Sequence, residues 1–270
     1  MLKKRLIPCL ILKGDKIVQS IKFKRYLPIG QANIAIEFFM NWDVDEIVLL
    51  DIEASIKKTP PKYELINYFA KHCFLPLSVG GGITSLEEMR KVLLAGADKI
   101  IINQAAVRFP GLIQEGARVF GSQCIVVSID VKVNAQQEYE VAIDSGKVLT
   151  GMGPVQWAKE VENLGAGEIL LNSVDRDGTK QGYDLELIRQ VQKAVNIPVI
   201  ACGGVGKMSH LVEGFTKANA HAVSAANIFQ YTEHSTIIAK AYLKRAGIDV
   251  RLDSQVKYDD IGIDEVGRII

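Results

Sequence analysis

Two glycine clusters in this sequence precede a strand end by the same number of residues. The cluster that ends at Gly82 is followed 21 residues later by Asn103, and the cluster that ends at Gly204 is followed 21 residues later by Ala225. Glycine lets backbone N–H groups approach an anion that a Cβ atom would keep away. The repeated spacing predicts two phosphate-binding cradles and a ligand with a phosphate at each end. The alternative is that these glycines only end two strands.

Asp130 is a carboxylate at the end of an apolar segment. In the alternation of a strand, its side chain is on the face that points into a buried interior. A carboxylate in low dielectric can be tuned for general acid or base chemistry. An unpaired buried Asp is costly, so a functional role is favoured over a structural one. The repeat places Ile11 at the matching position, so only one half carries an acid. Asp177 and Gly178 follow a later strand and add a carboxylate and a glycine, although a plain Asp-Gly turn explains them too.

A second polar set begins four strands instead of ending them. Its side chains share the inward parity, and two are positive and two negative, so they can close a neutral ring of ion pairs. The ring is either a structural plug or a gate, and sequence alone leaves both open. Its members are Arg5, Glu46, Lys99 and Glu168.

The elements that position these residues alternate between short apolar runs and amphipathic segments, which is typical of repeated βαβ units. Strands are predicted at 5–11, 46–51, 76–80, 98–102, 124–130, 168–172, 198–202 and 220–224. Helices are predicted at 31–42, 62–72, 86–96, 110–120, 155–165, 184–194, 208–217 and 236–247. Residues 135–149 predict a β-hairpin. Eight units in two similar halves predict a (βα)₈ barrel over residues 1–250, with an extension over 251–270.

Composition narrows the class of protein. The 270 residues are 48% hydrophobic, and 32 basic against 31 acidic residues leave a net charge of +1. Disorder is excluded, and nothing favours nucleic-acid or membrane binding. We expect a cytoplasmic protein, because no apolar run reaches 18 residues. The four cysteines predict structural thiols rather than disulfides or a metal site, and no cofactor is expected.

Several motifs together resemble a known family. They are Lys4–Leu10, Leu49–Ile52, Val79–Ile83, Gly96–Ile100, Gly121–Gln123, Gly165–Leu171 and Asp175–Tyr183. Over residues 1–250 the chain is similar to HisF, the cyclase subunit of imidazole glycerol phosphate synthase. The resemblance implies a (βα)₈ barrel whose bottom docks a HisH-like glutaminase, with ammonia passing through the barrel to a bisphosphate substrate at the top.

The resemblance also implies roles for individual residues. It implies an ammonia gate formed by the four ring residues, a glutaminase interface at Asp98 and Gln123, and a catalytic role for Asp130. The phosphate- and substrate-binding positions it implies are Asp51, Gly82, Asn103, Asp177, Gly178 and Gly204, to which the repeat spacing adds Ala225.

The chain departs from the family pattern at the top of the barrel. The family's first catalytic Asp falls at Ile11, and its loop Lys falls at Gln19. A phosphate-binding Thr and other site hydroxyls fall at Gln104, Asn172, Cys202 and Asn227. With these departures the chain resembles WbuZ, a HisF-like paralogue. WbuZ is found with a HisH-like glutaminase and an N-acetyl-sugar amidotransferase of surface-polysaccharide pathways. An authentic histidine-pathway cyclase and a non-catalytic phosphosugar-binding scaffold are the alternatives.

Overall fold

A computed structural model describes residues 3–35, 44–230, 235–254 and 256–264. Its strands are β1 (Arg5–Lys13), β2 (Lys16–Ile21), β3 (Arg25–Gln31), β4 (Ile47–Asp51), β5 (Leu77–Gly80), β6 (Lys99–Ile102), β7 (Ile125–Val133), β8 (Tyr139–Ile143), β9 (Val148–Leu149), β10 (Glu168–Ser173), β11 (Val199–Cys202) and β12 (Ala222–Ala225). Eight of them are parallel and run in the order β1, β4, β5, β6, β7, β10, β11, β12. Pairing of β12 with β1 closes the circle, which confirms the predicted barrel.

Helices connect the barrel strands and cover their outer surface. They are Ala54–Lys57, Tyr63–His72, Leu86–Leu94, Gln104–Arg108, Gly111–Phe120, Pro154–Asn163, Leu185–Ala194, Met208–Thr216 and Thr236–Arg245. Three begin at a residue whose side chain accepts a hydrogen bond from the first turn, namely Ser85, Asp184 and Ser235. Of the predicted 31–42 helix, residue 31 belongs instead to the end of β3, residues 32–35 are helical, and residues 36–42 lie outside the described residues.

Alternating side chains on the barrel strands divide the buried apolar residues into two cores. In β1, Leu6 and Leu10 face the helices, whereas Ile7, Cys9 and Ile11 face the barrel interior. The outer core is the larger of the two and fixes the helices on the sheet. The inner core lies between the two ends of the barrel, so the middle of the interior is lined mainly by apolar side chains such as Ile7, Val48 and Ile200.

Two antiparallel hairpins extend barrel strands at their carboxyl ends, which we call the top. The hairpin of β8 and β9 continues β7 and turns at 144–146, as the sequence predicts. The hairpin of β2 and β3 continues β1 and is a feature that sequence analysis missed. Gly14 lies at φ +59° in the first turn, between two runs rich in β-branched residues. That pattern is the same signal that identified the other hairpin.

The segment after the last helix packs against the bottom of the barrel. The Lys4 N–H donates to the Asp249 carbonyl, and Lys4 forms a parallel bridge with Val250. Further along, Tyr258 is buried and Lys244 forms an ion pair with Asp259. The described part of the extension is therefore a packed element.

Candidate active site and bottom ion-pair ring

A pocket opens at the top of the barrel, where the carboxyl ends of the strands meet. Asp130 and Ile11 both line it. Both glycine clusters, Asn103, Asn172, Asp51, Asp177, Gly178 and Ala225 line it as well. The structure thus brings together in one cavity the top residues that the sequence singled out from strands far apart in the chain. No Lys or Arg is among the described residues that line this pocket.

Asp130 is held by two amides. The Asn103 Nδ2 donates to one carboxylate oxygen at 2.9 Å, and the Asn172 Nδ2 reaches the other at 3.5 Å. Burial raises the pKa of Asp130 to about 7, although both amide hydrogen bonds act in the opposite direction. A carboxyl group with this pKa can donate or accept a proton near neutral pH.

The wall opposite this carboxyl group is aliphatic. Ile11 is buried between Val18 of β2 and Leu50 of β4, with which it is in register. Gln19 has the opposite parity to Val18 and Ser20, so it points away from the pocket that Ser20 lines. Of the two positions at which the chain departs from the family pattern, only Ile11 lines the pocket.

The glycine clusters have backbone conformations that other residues rarely adopt. Gly82 lies at φ +73° and Gly204 at φ +100°. A Cβ at Gly204 would collide with the Gly182 carbonyl, and one at Gly82 with the Thr59 carbonyl. Packing alone therefore requires glycine here, so both interpretations of these clusters, anion cradle and strand terminator, remain compatible with the geometry.

Asp51 stabilises the loop beside the first cluster. One oxygen of its carboxylate accepts hydrogen bonds from the backbone N–H groups of Glu53 and Ala54 at 2.9 and 3.1 Å. These bonds start the short helix Ala54–Lys57. Asp51 thus has a structural function in addition to its place in the pocket wall.

The β2–β3 hairpin is fastened over the pocket by residues that sequence analysis did not connect. The Ser20 hydroxyl donates to Asp177 at 2.6 Å, and the Asn227 side chain exchanges two hydrogen bonds with the Ser20 backbone at 2.8 and 3.2 Å. Gly178 permits this approach, because a Cβ there would collide with the Ser20 carbonyl. Burial raises the pKa of Asp177. The sequence offers no indication of this contact, because no helix or strand is predicted for the segment that contains Ser20.

Two thiols are among the groups that face the pocket. Cys9 and Cys202 both line the cavity and both are free cysteines. A hydrogen bond with Cys202, together with burial, raises the pKa of the Cys9 thiol. Both thiols therefore belong to the barrel interior, and Cys9 stays protonated near neutral pH.

At the bottom of the barrel the four predicted charges form a closed ring. Arg5 contacts Glu46 and Glu168 at 2.8 Å each, and Lys99 contacts the same two carboxylates at 2.9 and 3.0 Å. The Ser78 hydroxyl adds a 2.6 Å hydrogen bond to Glu46. Each carboxylate thus touches both cations, and Glu46 is the more tightly held of the two.

The surface around this ring carries exposed apolar side chains. Phe74, before β5, is 89% exposed, and Leu94, at the end of a helix, is 79% exposed. Asp98 and Gln123 lie on the same bottom face and are also exposed, although one Asp98 oxygen accepts from the Leu77 N–H at 2.8 Å. Exposed aromatic and aliphatic groups beside polar ones are typical of a protein-binding surface.

The described residues give no sign of a metal centre or a membrane span. Among them, no group of three or more His, Cys, Asp and Glu side chains is placed to bind a metal ion. No helix in the described ranges is long and apolar enough to cross a bilayer.

Comparison with known proteins assigns the chain to a family. A model of the family described as "Histidine biosynthesis protein" matches residues 5–236. A Vibrio vulnificus (strain YJ016) protein named "Putative imidazole glycerol phosphate synthase subunit hisF2" is 52% identical over 270 residues, which cover 99% of this chain and 98% of that protein.

Two further relatives bear the name imidazole glycerol phosphate synthase subunit HisF. The Hydrogenobaculum sp. (strain Y04AAS1) protein is 47% identical over 252 residues, and the Clostridium botulinum (strain Okra / Type B1) protein is 46% identical over 253 residues. In each case the match covers 93% of this chain and the whole of the relative.

The fold and the pocket define a (βα)₈ barrel with a polar site at the top and a ring of ion pairs at the bottom. The family match and the identities of its relatives make the assignment more specific. The chain belongs to the HisF family of histidine biosynthesis proteins.

Proposed function

We propose that this protein is the synthase subunit of a glutamine amidotransferase complex that conducts ammonia but has lost most of the cyclase chemistry at its top. The observation that carries the proposal is the contrast within one barrel between a complete bottom ring and a pocket with Ile11 opposite Asp130. A two-carboxylate acid–base cycle cannot be performed by one carboxylate.

The bottom face is proposed to bind a HisH-like glutaminase. This chain has no Gly-x-Cys-x-Gly nucleophile motif, so glutamine hydrolysis has to come from a partner. Phe74 and Leu94 offer apolar surface, and Asp98 and Gln123 offer polar groups next to the ring. The partner would release ammonia directly onto Arg5, Glu46, Lys99 and Glu168, which act as the gate.

The barrel interior is suited to neutral ammonia. Its wall above the ring is formed by aliphatic side chains such as Ile7, Val48, Val126 and Ile200. The desolvation free energy of an ion is large in such surroundings, whereas that of a small neutral molecule is much smaller. Ammonium is thereby held back at the ring while ammonia crosses to the pocket.

At the top we propose that ammonia is passed to an N-acetyl-sugar amidotransferase, as in the WbuZ-like paralogues. The replacements at Ile11 and Gln19 support this assignment. A phosphate-bearing small molecule would bind the cradles at Gly82 with Asn103 and at Gly204 with Ala225.

A second candidate is the cyclase reaction of histidine biosynthesis. The 46–47% identity to proteins named as HisF subunits favours it. Asp130, with a pKa of about 7, would act as the acid–base group, and Asp51 or Asp177 would replace the missing partner.

The deciding experiment follows nitrogen from two sources. The protein is combined with its glutaminase and with the sugar amidotransferase, and supplied with amide-¹⁵N glutamine and unlabelled ammonium. The proposal expects ¹⁵N to be enriched in the amidated sugar, and expects slow turnover of the ribulosyl bisphosphate intermediate with ammonium. Fast cyclase turnover with no amidated sugar would favour the second candidate.

A further inference from the structure

Ser224 is a polar residue in the apolar middle of the barrel. It lies in β12, two residues after Ala222, which belongs to the inner core, whereas Val223 between them faces the helices. Strand alternation therefore points the Ser224 side chain into the barrel. In register with β1, Ala222 is level with Arg5 and Ser224 with Ile7. The hydroxyl thus lies one layer above the ring of charges.

The Ser224 hydroxyl is fully buried and unpaired. The residue is 0% exposed, and its Oγ has no hydrogen-bond partner among the protein atoms that the structure describes. Its backbone carbonyl, by contrast, accepts a hydrogen bond of 2.9 Å from the Tyr183 hydroxyl. Buried side-chain polar groups in proteins nearly always have a partner, so an orphaned hydroxyl calls for a ligand.

Neither end of the barrel contributes that partner. The ring charges bind one another and Ser78 below this layer, and the pocket above extends down only to residues such as Cys9, Ser128 and Cys202. Between them the inner core presents aliphatic groups, among them Ile7 and Ile200. The hydroxyl is therefore the polar group that a small molecule meets after it leaves the ring and before it reaches the pocket.

We propose that Ser224 is a binding station for ammonia inside the barrel. The inference rests on the proposed function and names a residue that this function needs. A hydroxyl group both donates and accepts hydrogen bonds, as does ammonia, so one contact compensates the molecule for the hydration it loses in the apolar layer. Without the station, ammonia waits longer below this layer and escapes more often at the glutaminase interface. Ser224 is a positioning residue, since it takes no part in bond making.

A matched pair of variants isolates the hydroxyl. Ser224→Thr keeps it, and Ser224→Val has nearly the same shape without it. Each is assembled with the glutaminase and the amidotransferase and supplied with amide-¹⁵N glutamine in the presence of unlabelled ammonium. The proposal expects Ser224→Thr to retain the wild-type ¹⁵N-to-¹⁴N ratio in the product. It expects Ser224→Val to lower the ¹⁵N-to-¹⁴N ratio at least about threefold, because this is the effect of losing one hydrogen bond.

Two further readouts separate transport from folding. Glutamine hydrolysis and the product formed from saturating external ammonium should stay at wild-type values in Ser224→Val, because external ammonia enters from the top. Equal ¹⁵N ratios in the Thr and Val variants would overturn the role of Ser224 alone. A wild-type complex that shows no ¹⁵N enrichment would overturn the proposed conduction as well.

Discussion

The carboxylates at the two ends of this barrel have different kinds of partner. At the bottom, Glu46 and Glu168 each contact both cations of the ring, so that every charge is compensated. At the top, Asp130 and Asp177 are hydrogen-bonded to neutral amide, hydroxyl and backbone groups. Burial accordingly raises the pKa of both top carboxyl groups.

This difference is the basis of the proposed function. A closed ring of ion pairs above an exposed apolar surface is what docking and gating require. The top has a pocket with one carboxyl group whose pKa is raised, Asp130, and an aliphatic side chain, Ile11, where the family resemblance implies a second acid. Under the proposed function, conduction and cyclisation are separable properties of one fold, because they would take place at opposite ends of the barrel.

The largest expected effect comes from breaking the bottom ring. Glu46→Ala leaves Arg5 and Lys99 with one carboxylate and removes the acceptor of Ser78, so we expect the free energy of unfolding to fall by about 3–5 kcal/mol. Glu168→Ala is the matched control and should cost less. The Glu168 side chain is 12% exposed against 3% for Glu46, so water can better hydrate the cations that lose Glu168 as a partner. Urea unfolding measures both, and equal losses would contradict the asymmetry of the ring.

The next prediction restores the missing acid at the top. Ile11→Asp places a second carboxylate in the pocket with Asp130, and we expect ammonium-dependent turnover of the ribulosyl bisphosphate intermediate to rise by about 10²-fold. Ile11→Asn has a similar size without the charge and should produce no such rise. Wild-type turnover that already equals the rate of a two-carboxylate relative would refute the idea that position 11 limits the chemistry.

A third prediction uses the pH dependence of stability. An unfolded Asp titrates near 3.8, and Asp130 in the fold near 7. The folded protein therefore binds this proton more tightly, and its stability falls as pH rises from about 4 to about 7. Asp130→Asn should remove that slope and raise the free energy of unfolding at pH 8 by about 1–3 kcal/mol. Parallel wild-type and variant curves from pH 4 to 8 would show that the carboxyl is not shifted.

The smallest effect concerns the hairpin over the pocket. Ser20→Ala removes the hydroxyl that binds Asp177, and we expect a loss of about 1 kcal/mol in stability. Faster amide hydrogen exchange in β2 and β3 should accompany it. Ser55→Ala is the control, since its hydroxyl accepts only a 3.4 Å contact from the Gly82 N–H. Unchanged exchange in the hairpin would mean that the Asn227 bonds and the backbone N–H bonds of Lys22 and Phe23 to Asp177 fasten it without the Ser20 hydroxyl.

The sequence predicts the barrel well because the period-two pattern of its strands is strong. In β1 and β10, inward parity alone identifies Arg5 and Glu168 as neighbours across the bottom, and the structure brings them to 2.8 Å. Asp130 and Asn103 are likewise brought together at the top. Side-chain parity is a local property, and in a (βα)₈ barrel the order of the barrel strands follows the chain, so the two together suffice for residues on regular strands.

Contacts between loops cannot be predicted from side-chain parity and strand order. The bond from Ser20 to Asp177 joins residues 157 positions apart, and its geometry depends on how the β2–β3 hairpin folds back over the barrel. The partnerless Ser224 hydroxyl is similarly invisible in the sequence, where a serine among alanines suggests only a small buried residue. Both features arise from tertiary packing and require coordinates.

The measurement that tests the account most directly compares wild-type protein with Lys99→Met in the complete complex. Glutamine consumed and amidated sugar formed are measured together at low external ammonium, with sedimentation to verify that the complex is still assembled. If the ring gates ammonia, Lys99→Met hydrolyses glutamine at nearly the wild-type rate but forms less amidated product per glutamine, because ammonia escapes to solvent. An unchanged ratio in an intact complex would contradict the gate and leave the ring as a structural plug.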